Sequence, residues 1–574
     1  PEMGKRLVGK FGYRTLEVID KQPHRLLEVS GIGPHRAEKI GQAWQSQKEI
    51  SRVMVFLRSK DIPVSLAGKI FKQYGQEAIE KITQNPYRLS EDLWGVGFKT
   101  ADLLALKLGL DKLAPHRLRA AALHALKAAM NKGHLYLAKS ETQNLTQELL
   151  QIEEENRSLI ENTIDDLILD DKLKAVEHNK QTFLALPQCF WTEKNIATKI
   201  KTLQKYPPKK QFDLDAAYAS LRNKSNKHTV RLSETQQRGI MTILQSKTTI
   251  ITGGPGTGKT TLVKSLLDIL ESEKITTRLA APTGRAAKRI LEGTGKHAET
   301  IHRLLEFSPQ SMRFERNEKN TLELDVLVVD ETSMIDVFLA NSLLKALPLH
   351  ARLVLIGDID QLPSVGPGNV LKDLINSKTI ETVRLLEIFR QAQGSLIVQN
   401  AHKINRGEFP HSTNSATTDF IFISQSDTEK IPGILKAIHD RLLPKKKIKT
   451  ENSILLTPMH RGNAGAQHLN HVLQNLLNPL EEGSKQTLQR MGQEYRVGDR
   501  VMQIRNNYDK FVFNGDMGII KEIKGEASEM HVQFGIKLHV YESAELDELV
   551  LSYATSIHKS QGSEFDAVII PIFC

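Results

Sequence analysis

Cysteine is almost missing from this chain: Cys189 and Cys574 are the only two among 574 residues. Two thiols so far apart supply neither a disulfide framework nor a zinc-ligand set, and the expected setting is a reducing compartment. Long apolar runs are missing too. No stretch approaches the 18 residues of a membrane-spanning helix and no signal-like segment opens the chain, so it reads as soluble and cytoplasmic, with no membrane partner. Aromatic residues are sparse at 6%, whereas hydrophobic (40%) and charged (25%) residues stand at ordinary globular levels. Acidic residues are the scarcer sign, 67 against 78 lysines and arginines, and a net charge of +11 suits a polyanionic partner. The length allows about three to five domains. Residue 1 is Pro rather than Met, and residues 566–574 run through an apolar strand without a turn, so both ends read as cut.

What is present is local and specific. The β-branched run Thr248-Thr-Ile-Ile-Thr252 reads as a buried strand and leads into Gly253-Gly254-Pro255-Gly256-Thr257-Gly258-Lys259-Thr260. These eight residues satisfy G-x-x-x-x-G-K-[ST] at every fixed position, and Thr261 to Leu270 continues as a helix. The glycines let backbone N–H groups wrap a phosphate chain while the new helix points its positive end at the same anion. Gly254, Pro255, Gly256, Thr257, Gly258, Lys259, Thr260 and Thr261 are therefore expected to hold a nucleoside triphosphate, with Lys259 on the β/γ-phosphates and the Thr260 hydroxyl on Mg²⁺. A second apolar strand, Val326-Leu-Val-Val-Asp330-Glu331, ends in two carboxylates. Asp330 can hold Mg²⁺ through water while Glu331 polarises an attacking water, which hydrolysis needs and simple binding does not. A third strand ends in Gly357-Asp-Ile-Asp-Gln361, where Gln361 can sense the γ-phosphate. Upstream, Gln236 stands where its amide can read adenine, which gives a preference for ATP.

The first hundred residues carry an internal repeat. Gly4-Lys-Arg-Leu7 to Phe11-Gly12 recurs as Gly68-Lys-Ile-Phe71 to Tyr74-Gly75, Pro23-His-Arg-Leu26 as Pro86-Tyr-Arg-Leu89, and Gly31-Ile-Gly33 as Gly95-Val-Gly97. Each unit ends in a Gly-x-Gly turn before another helix. Such turns resemble helix-hairpin-helix motifs, which expose amides to a DNA phosphate without reading sequence, with Lys39 and Lys99 as the expected phosphate partners. The alternative is an αα-hairpin whose glycines only permit close packing. The expected organisation is tandem repeats over 1–112, a helical or winged-helix-like module over 113–202 and a polar linker over 203–230. From 231 the alternation of apolar runs and helical segments predicts α/β domains with parallel sheets: a first motor domain over 231–378, a second over 379–487 and 548–574, and a small β-barrel inserted at 488–547.

Taken together these segments resemble superfamily 1 helicases, specifically the RecD-like group that moves 5′→3′ on DNA. Gly253–Thr261 corresponds to motif I, Ala281-Pro-Thr-Gly-Arg285-Ala-Ala-Lys288 to Ia, Thr300-Ile-His302-Arg-Leu304 to Ib, Asp330-Glu331 to II and Gly357–Ser364 to III. Leu386-Glu-Ile-Phe-Arg390-Gln391 is similar to motif IV, Thr457-Pro-Met-His-Arg461-Gly-Asn463 to a later motif, and Tyr553 to Glu564 to motif V. The resemblance implies two RecA-like motor domains, an SH3-like inserted barrel, ATP with Mg²⁺ as cofactors and a monomer acting on single-stranded DNA and single-strand/duplex junctions. It implies that Arg390 reaches the γ-phosphate, that Gly562 and Glu564 lie on the nucleotide side, and that Thr283, Arg285, His302, Arg461, Asn463, His558 and Lys559 meet phosphates of one strand. Residues 307–324 fit a strand-separating pin. Motif VI, which follows motif V in the family, is not in this chain, and the small domain that precedes the repeats in relatives is not present either. A stand-alone helicase in repair or recombination is the leading expectation. The RecD subunit of a helicase–nuclease, a relaxase-helicase and a DNA-binding ATPase switch are the alternatives.

Overall fold

A computed structural model of the chain describes residues 2–93, 96–226, 232–387, 394–412, 418–480, 486–490, 492–505, 507, 510, 512–525, 529–543 and 545–572. They form two compact units, 1–190 and 191–574.

The 64-residue repeat of the first unit is visible as repeated structure. A helix (Glu2–Phe11 or Ala67–Tyr74) ends at a glycine of positive φ, Gly12 at 56° or Gly75 at 61°, and a 3₁₀ turn and a short helix follow (Thr15–Lys21 or Ala78–Gln84). Each copy closes on a helix capped by glycine, Pro34–Ser59 after Gly33 and Phe98–Lys107 after Gly97. Gly95 of the second turn lies outside the described residues. Leu26 packs in the core of the first copy and Leu89 in that of the second. Beyond the repeat, helices Pro115–Asn131, Lys139–Leu150 and Arg157–Leu169 pack with a three-stranded antiparallel sheet: β1 (Tyr136–Ala138), β2 (Lys174–His178) and β3 (Gln181–Ala185), in the order β1-β3-β2. Arg117 joins the module to the repeat. Its Nε and Nη2 donate to the two carboxylate oxygens of Asp102 at 2.8 and 3.0 Å, and the Tyr87 hydroxyl donates to the same carboxylate at 2.7 Å.

In the second unit, β4 (Thr248–Gly253), β5 (Thr277–Ala281) and β6 (Glu299–Thr300) precede a small hairpin of β7 (Phe307–Ser308) and β8 (Arg313–Phe314). Then come β9 (Val326–Val329), β10 (Arg352–Gly357) and β11 (Glu381–Leu385). Six of these form one parallel sheet in the order β11-β4-β10-β9-β5-β6. Every residue of β9 and β10 is buried, which explains why they read as continuous apolar runs rather than alternating ones. Ile240, Ile251, Leu262, Leu266, Val328 and Ile356 share the core between sheet and helices.

The segment expected to be a linker, 203–230, needs correction. Leu214–Asn226 is a helix, and its Ala217 and Leu221 belong to the core of the first sheet. Apolar residues at i, i+3 and i+7 (Leu214, Ala217 and Leu221) are enough to dock the helix, although the sequence of its last turns, residues 222–226, is wholly polar. The carbonyl of Lys210 is also fixed, accepting from buried Arg352 at 2.7 Å.

A second parallel sheet has β12 (Ser453–Thr457) between two strands from the far end of the chain. Between them lie the hairpin β13 (Thr487–Arg490)–β14 (Gln493–Arg496) and an antiparallel five-stranded sheet. The latter comprises β15 (Arg500–Gln503), β16 (Met517–Lys524), β17 (Glu529–Phe534), β18 (Lys537–Tyr541) and β19 (Leu549–Leu551). The chain then returns through β20 (Ala554–Ser556) and β21 (Ala567–Ile569), both parallel to β12. Among the described residues no helix is long and apolar enough to cross a membrane.

Candidate active site

The strand order builds the site. β4, β10 and β9 are neighbours and parallel, so their C-terminal ends bring the phosphate loop, Asp358 and Asp330-Glu331 to one edge of the sheet. The loop after β4 turns through Gly256 and Gly258, with φ of 76° and 73°. A Cβ at Gly254 would come within 2.9 Å of His402 Cε1, so a side chain here would have to displace the imidazole. Lys259 opens the helix Lys259–Ser272, and its Nζ donates to the carbonyls of Gly253 at 2.6 Å and Gly254 at 3.2 Å. Thr257 Oγ1 donates to Gly254 O at 2.8 Å. Pro255, Gly256 and Thr260 are exposed on the open side, while Thr261 is half-buried against the helix.

Gln236 braces this loop from behind. It completes a capping box with Ser233, its Oε1 accepting from the Ser233 amide at 2.9 Å, while its Nε2 donates to Gly258 O at 3.1 Å. Its amide is thus engaged at both ends in this conformation. Gln361 is exposed, and Ser333 Oγ donates to its Oε1 at 3.4 Å.

Asp330 follows β9, its amide donating to Ala280 O at 3.0 Å, and Glu331 takes a left-handed φ of 52° that turns its side chain back toward the site. Burial pushes the carboxyls of Asp330, Glu331 and Asp358 above the ordinary carboxylate range, and for Glu331 the adjacent Asp330 adds to it. Lys259 opposes the shift at all three. Glu331 Oε2 is buried and has no hydrogen-bond partner among the described residues.

Three residues of this site were not singled out from sequence. Asp358, in the motif III stretch, is 4% exposed beside the loop. His402, on the helix Leu396–Asn405, packs on Gly254 with its Nε2 buried and unpartnered among the described residues. Arg289, on the helix Gly284–Thr294, has Nη1 3.5 Å from Glu331 Oε1 and donates through Nη2 to Glu564. Nothing local in the sequence marks His402 or Arg289; only the tertiary arrangement does.

The expected DNA-side residues fall into several settings. Thr283 caps its helix, its Oγ1 accepting from Ala286 N at 3.2 Å, and lies against Gly562. Arg285 is half-buried, donates to Ser563 Oγ and stands 3.9 Å from Asp516 of the inserted domain. His302 packs against Phe307 and Phe314 at the base of the β7–β8 hairpin, ring centroids 5.6 and 5.5 Å away, and burial lowers its pKa. Arg461 and Asn463 lie exposed in the loop after β12, and His558 and Lys559 are exposed in a 3₁₀ turn after β20. Gln561 Nε2 donates to Leu362 O at 3.1 Å, tying that turn to the loop after β10. Lys39 and Lys99 are exposed, Lys39 in the second turn and Lys99 in the first turn of the glycine-capped helices of the first unit. Arg390 lies outside the described residues.

Known proteins are similar to this chain. A family profile described as an AAA domain matches residues 236–367. The HHH domain of the ATP-dependent RecD2 DNA helicase matches 46–136, and the SH3 domain of the ATP-dependent RecD-like DNA helicase matches 469–534. The ATP-dependent RecD2 DNA helicase of Deinococcus radiodurans is 32% identical over 580 residues, covering 99% of this chain and 77% of its own length. The RecBCD enzyme subunit RecD of Mycolicibacterium smegmatis is 31% identical over 373 residues, 59% of this chain and 65% of its own. A crystal structure of Bacteroides Pif1 bound to ssDNA aligns at 19% identity and a TM-score of 0.36, over 60% of this chain and 86% of that one. Similarity running along 99% of the sequence, together with helicase-specific profiles at both ends of the described architecture, makes this chain a member of the RecD-like family of ATP-dependent DNA helicases.

Proposed function

We propose that this protein uses ATP to move 5′→3′ along single-stranded DNA and to separate the duplex ahead of it, acting as an intracellular monomer in DNA repair or recombination. One observation carries the reading: the loop holding Lys259, the Asp330-Glu331 pair and the Gly562–Glu564 segment converge along one seam, so the hydrolytic edge and the strand-gripping loops share contacts. In this reading Lys259 neutralises the β/γ-phosphates, Glu331 orients the attacking water, Gln361 and Arg390 sense the γ-phosphate, and Gln236 favours adenine. Gly562 and Glu564 complete the nucleotide side. Thr260 and Asp330 would hold Mg²⁺, which supplies charge neutralisation of the phosphates. The donor set fits a hard cation, being hydroxyl and carboxylate oxygen, and Glu331 Oε2 beside it is buried without a partner among the described residues. Thr283, Arg285, His302, Arg461, Asn463, His558 and Lys559 contact the phosphates of one strand, a mode that accepts every sequence. The β7–β8 hairpin serves as the pin. The organisation we propose keeps glycine-turn repeats over 1–112, motor domains from 231 and an insert over 488–547.

The test is strand displacement by the full-length protein. A duplex with a 5′ single-stranded tail is unwound and one with a 3′ tail is not; unwinding of the 3′-tailed substrate in preference would overturn the polarity.

The repeats give a second expectation. If the Gly31–Gly33 and Gly95–Gly97 turns face phosphates, Lys39→Ala with Lys99→Ala weakens duplex binding equally across sequences. The log–log salt slope then falls by about 0.7–0.9 per lost contact. An unchanged slope, measured by anisotropy over a salt series, would leave the repeats as scaffolding.

A further inference from the structure

The helix Gly284–Thr294 presents Arg285 and Arg289 one turn apart, on the same side. That side meets the segment after β20. Thr283 Oγ1 would lie 3.4 Å from a Cβ on Gly562, Arg285 donates to Ser563 Oγ, and Arg289 donates to Glu564. Arg289 is where this seam reaches the hydrolytic edge, because its Nη1 stands 3.5 Å from Glu331 Oε1. Among the described residues no other cation pairs with Glu331. One planar guanidinium therefore spans two carboxylates, one beyond β9 and one beyond β20, which a lysine's single ammonium could not do as well.

We propose that Arg289 is a positioning residue that couples the state of the Gly562–Glu564 loop to the orientation of Glu331, so that the single strand gripped by the second motor half sets the rate of hydrolysis. This rests on the helicase reading above. When DNA draws the loop into one position, Glu564 holds one edge of the guanidinium and fixes where the other edge stands against Glu331. Glu331 is thereby aimed by a contact outside its own strand, and the orientation of a catalytic group within a fraction of an ångström governs rate.

The experiment measures steady-state ATPase activity of the full-length protein with and without saturating oligo-dT, taking the ratio of the two kcat values as the stimulation. Arg289→Ala lowers that ratio about tenfold with KM for ATP within about twofold of the parent. Arg289→Lys, which keeps the charge, loses at least about threefold. Glu564→Gln loses about threefold in the same ratio, and Arg289→Ala with Glu564→Gln is no worse than Arg289→Ala alone, since both act through one link. Retention of the parent ratio by Arg289→Ala would overturn the proposal, as would additive losses in the double variant. An intact ratio in Glu564→Gln, whatever its KM for ATP, would also overturn it, leaving Glu564 with its nucleotide-side role alone. A parent protein without any DNA stimulation would instead overturn the helicase reading itself.

Discussion

Glu331→Gln should bind ATP nearly as tightly as the parent protein and hydrolyse it at least about a hundredfold more slowly. The substitution keeps the shape of a side chain that sits in a left-handed turn with one oxygen buried, and it removes the negative charge that orients water. Lys259→Ala provides the contrast. The lysine is already folded over the loop, held by the carbonyls of Gly253 and Gly254, so its Nζ needs only a small movement to meet phosphate. Removing it weakens nucleotide binding and abolishes turnover, while single-strand binding stays largely intact because the lysine faces the loop and not the exposed turns carrying Arg461, His558 and Lys559. Phosphate release and titration with a fluorescent nucleotide separate the two variants. Near-normal turnover in Glu331→Gln would remove the catalytic assignment.

Arg117→Met should lower the stability of the first unit by about 3–5 kcal/mol, the cost of leaving a buried carboxylate without its cation. The Arg117 side chain is 6% exposed and that of Asp102 14%, and the pair is bidentate, with the third arm of Arg117 donating to Lys112 O at 3.0 Å. Tyr87, fully buried, donates to the same carboxylate and stays to hydrogen-bond it, but a hydroxyl does not offset its charge. In calorimetry the transition of this unit falls by about 6–20 °C. Arg117→Met combined with Asp102→Leu recovers more than half of the loss, because no orphaned charge is then buried. A double variant as unstable as the single one would mean that the pair matters through its packing.

The phosphate loop was legible because its requirements are local: glycines where φ is positive, a lysine within reach of the turn, a β-branched strand before it. The observed β4 ends one residue beyond the apolar run. Asp330-Glu331 was legible for the same reason, since a fully buried strand must end somewhere and two carboxylates mark the place. The helix Leu214–Asn226 was hidden by composition, its docking resting on Leu214, Ala217 and Leu221 while the stretch that follows, residues 222–230, is almost wholly polar in sequence. Arg289 and His402 were hidden by distance. One lies 42 residues from Glu331 and the other 148 from Gly254, and only the folded sheet brings each pair together. Arg285 shows the reverse: a motif marked it, yet its surroundings, Ser563 and Asp516, come from segments that sequence spacing could not assign to it.

The insertion between β12 and β20 bears on how the molecule assembles. β12 finds both of its hydrogen-bonded neighbours roughly a hundred residues later, after a whole antiparallel sheet has been made. During synthesis this apolar strand leaves the ribosome with both edges bare, a template for wrong pairing until the insert has folded and returned the chain. The cost of closing so long a loop flexibly is lessened once the insert is compact. Asp499, fully buried, helps hold that return: it accepts from Gln474 and Asn478 on one side of the insert and from the Tyr553 hydroxyl on the other, at 2.6, 2.7 and 2.9 Å. If the insert folds first and the second sheet afterwards, the yield of native protein depends on how quickly the antiparallel sheet forms.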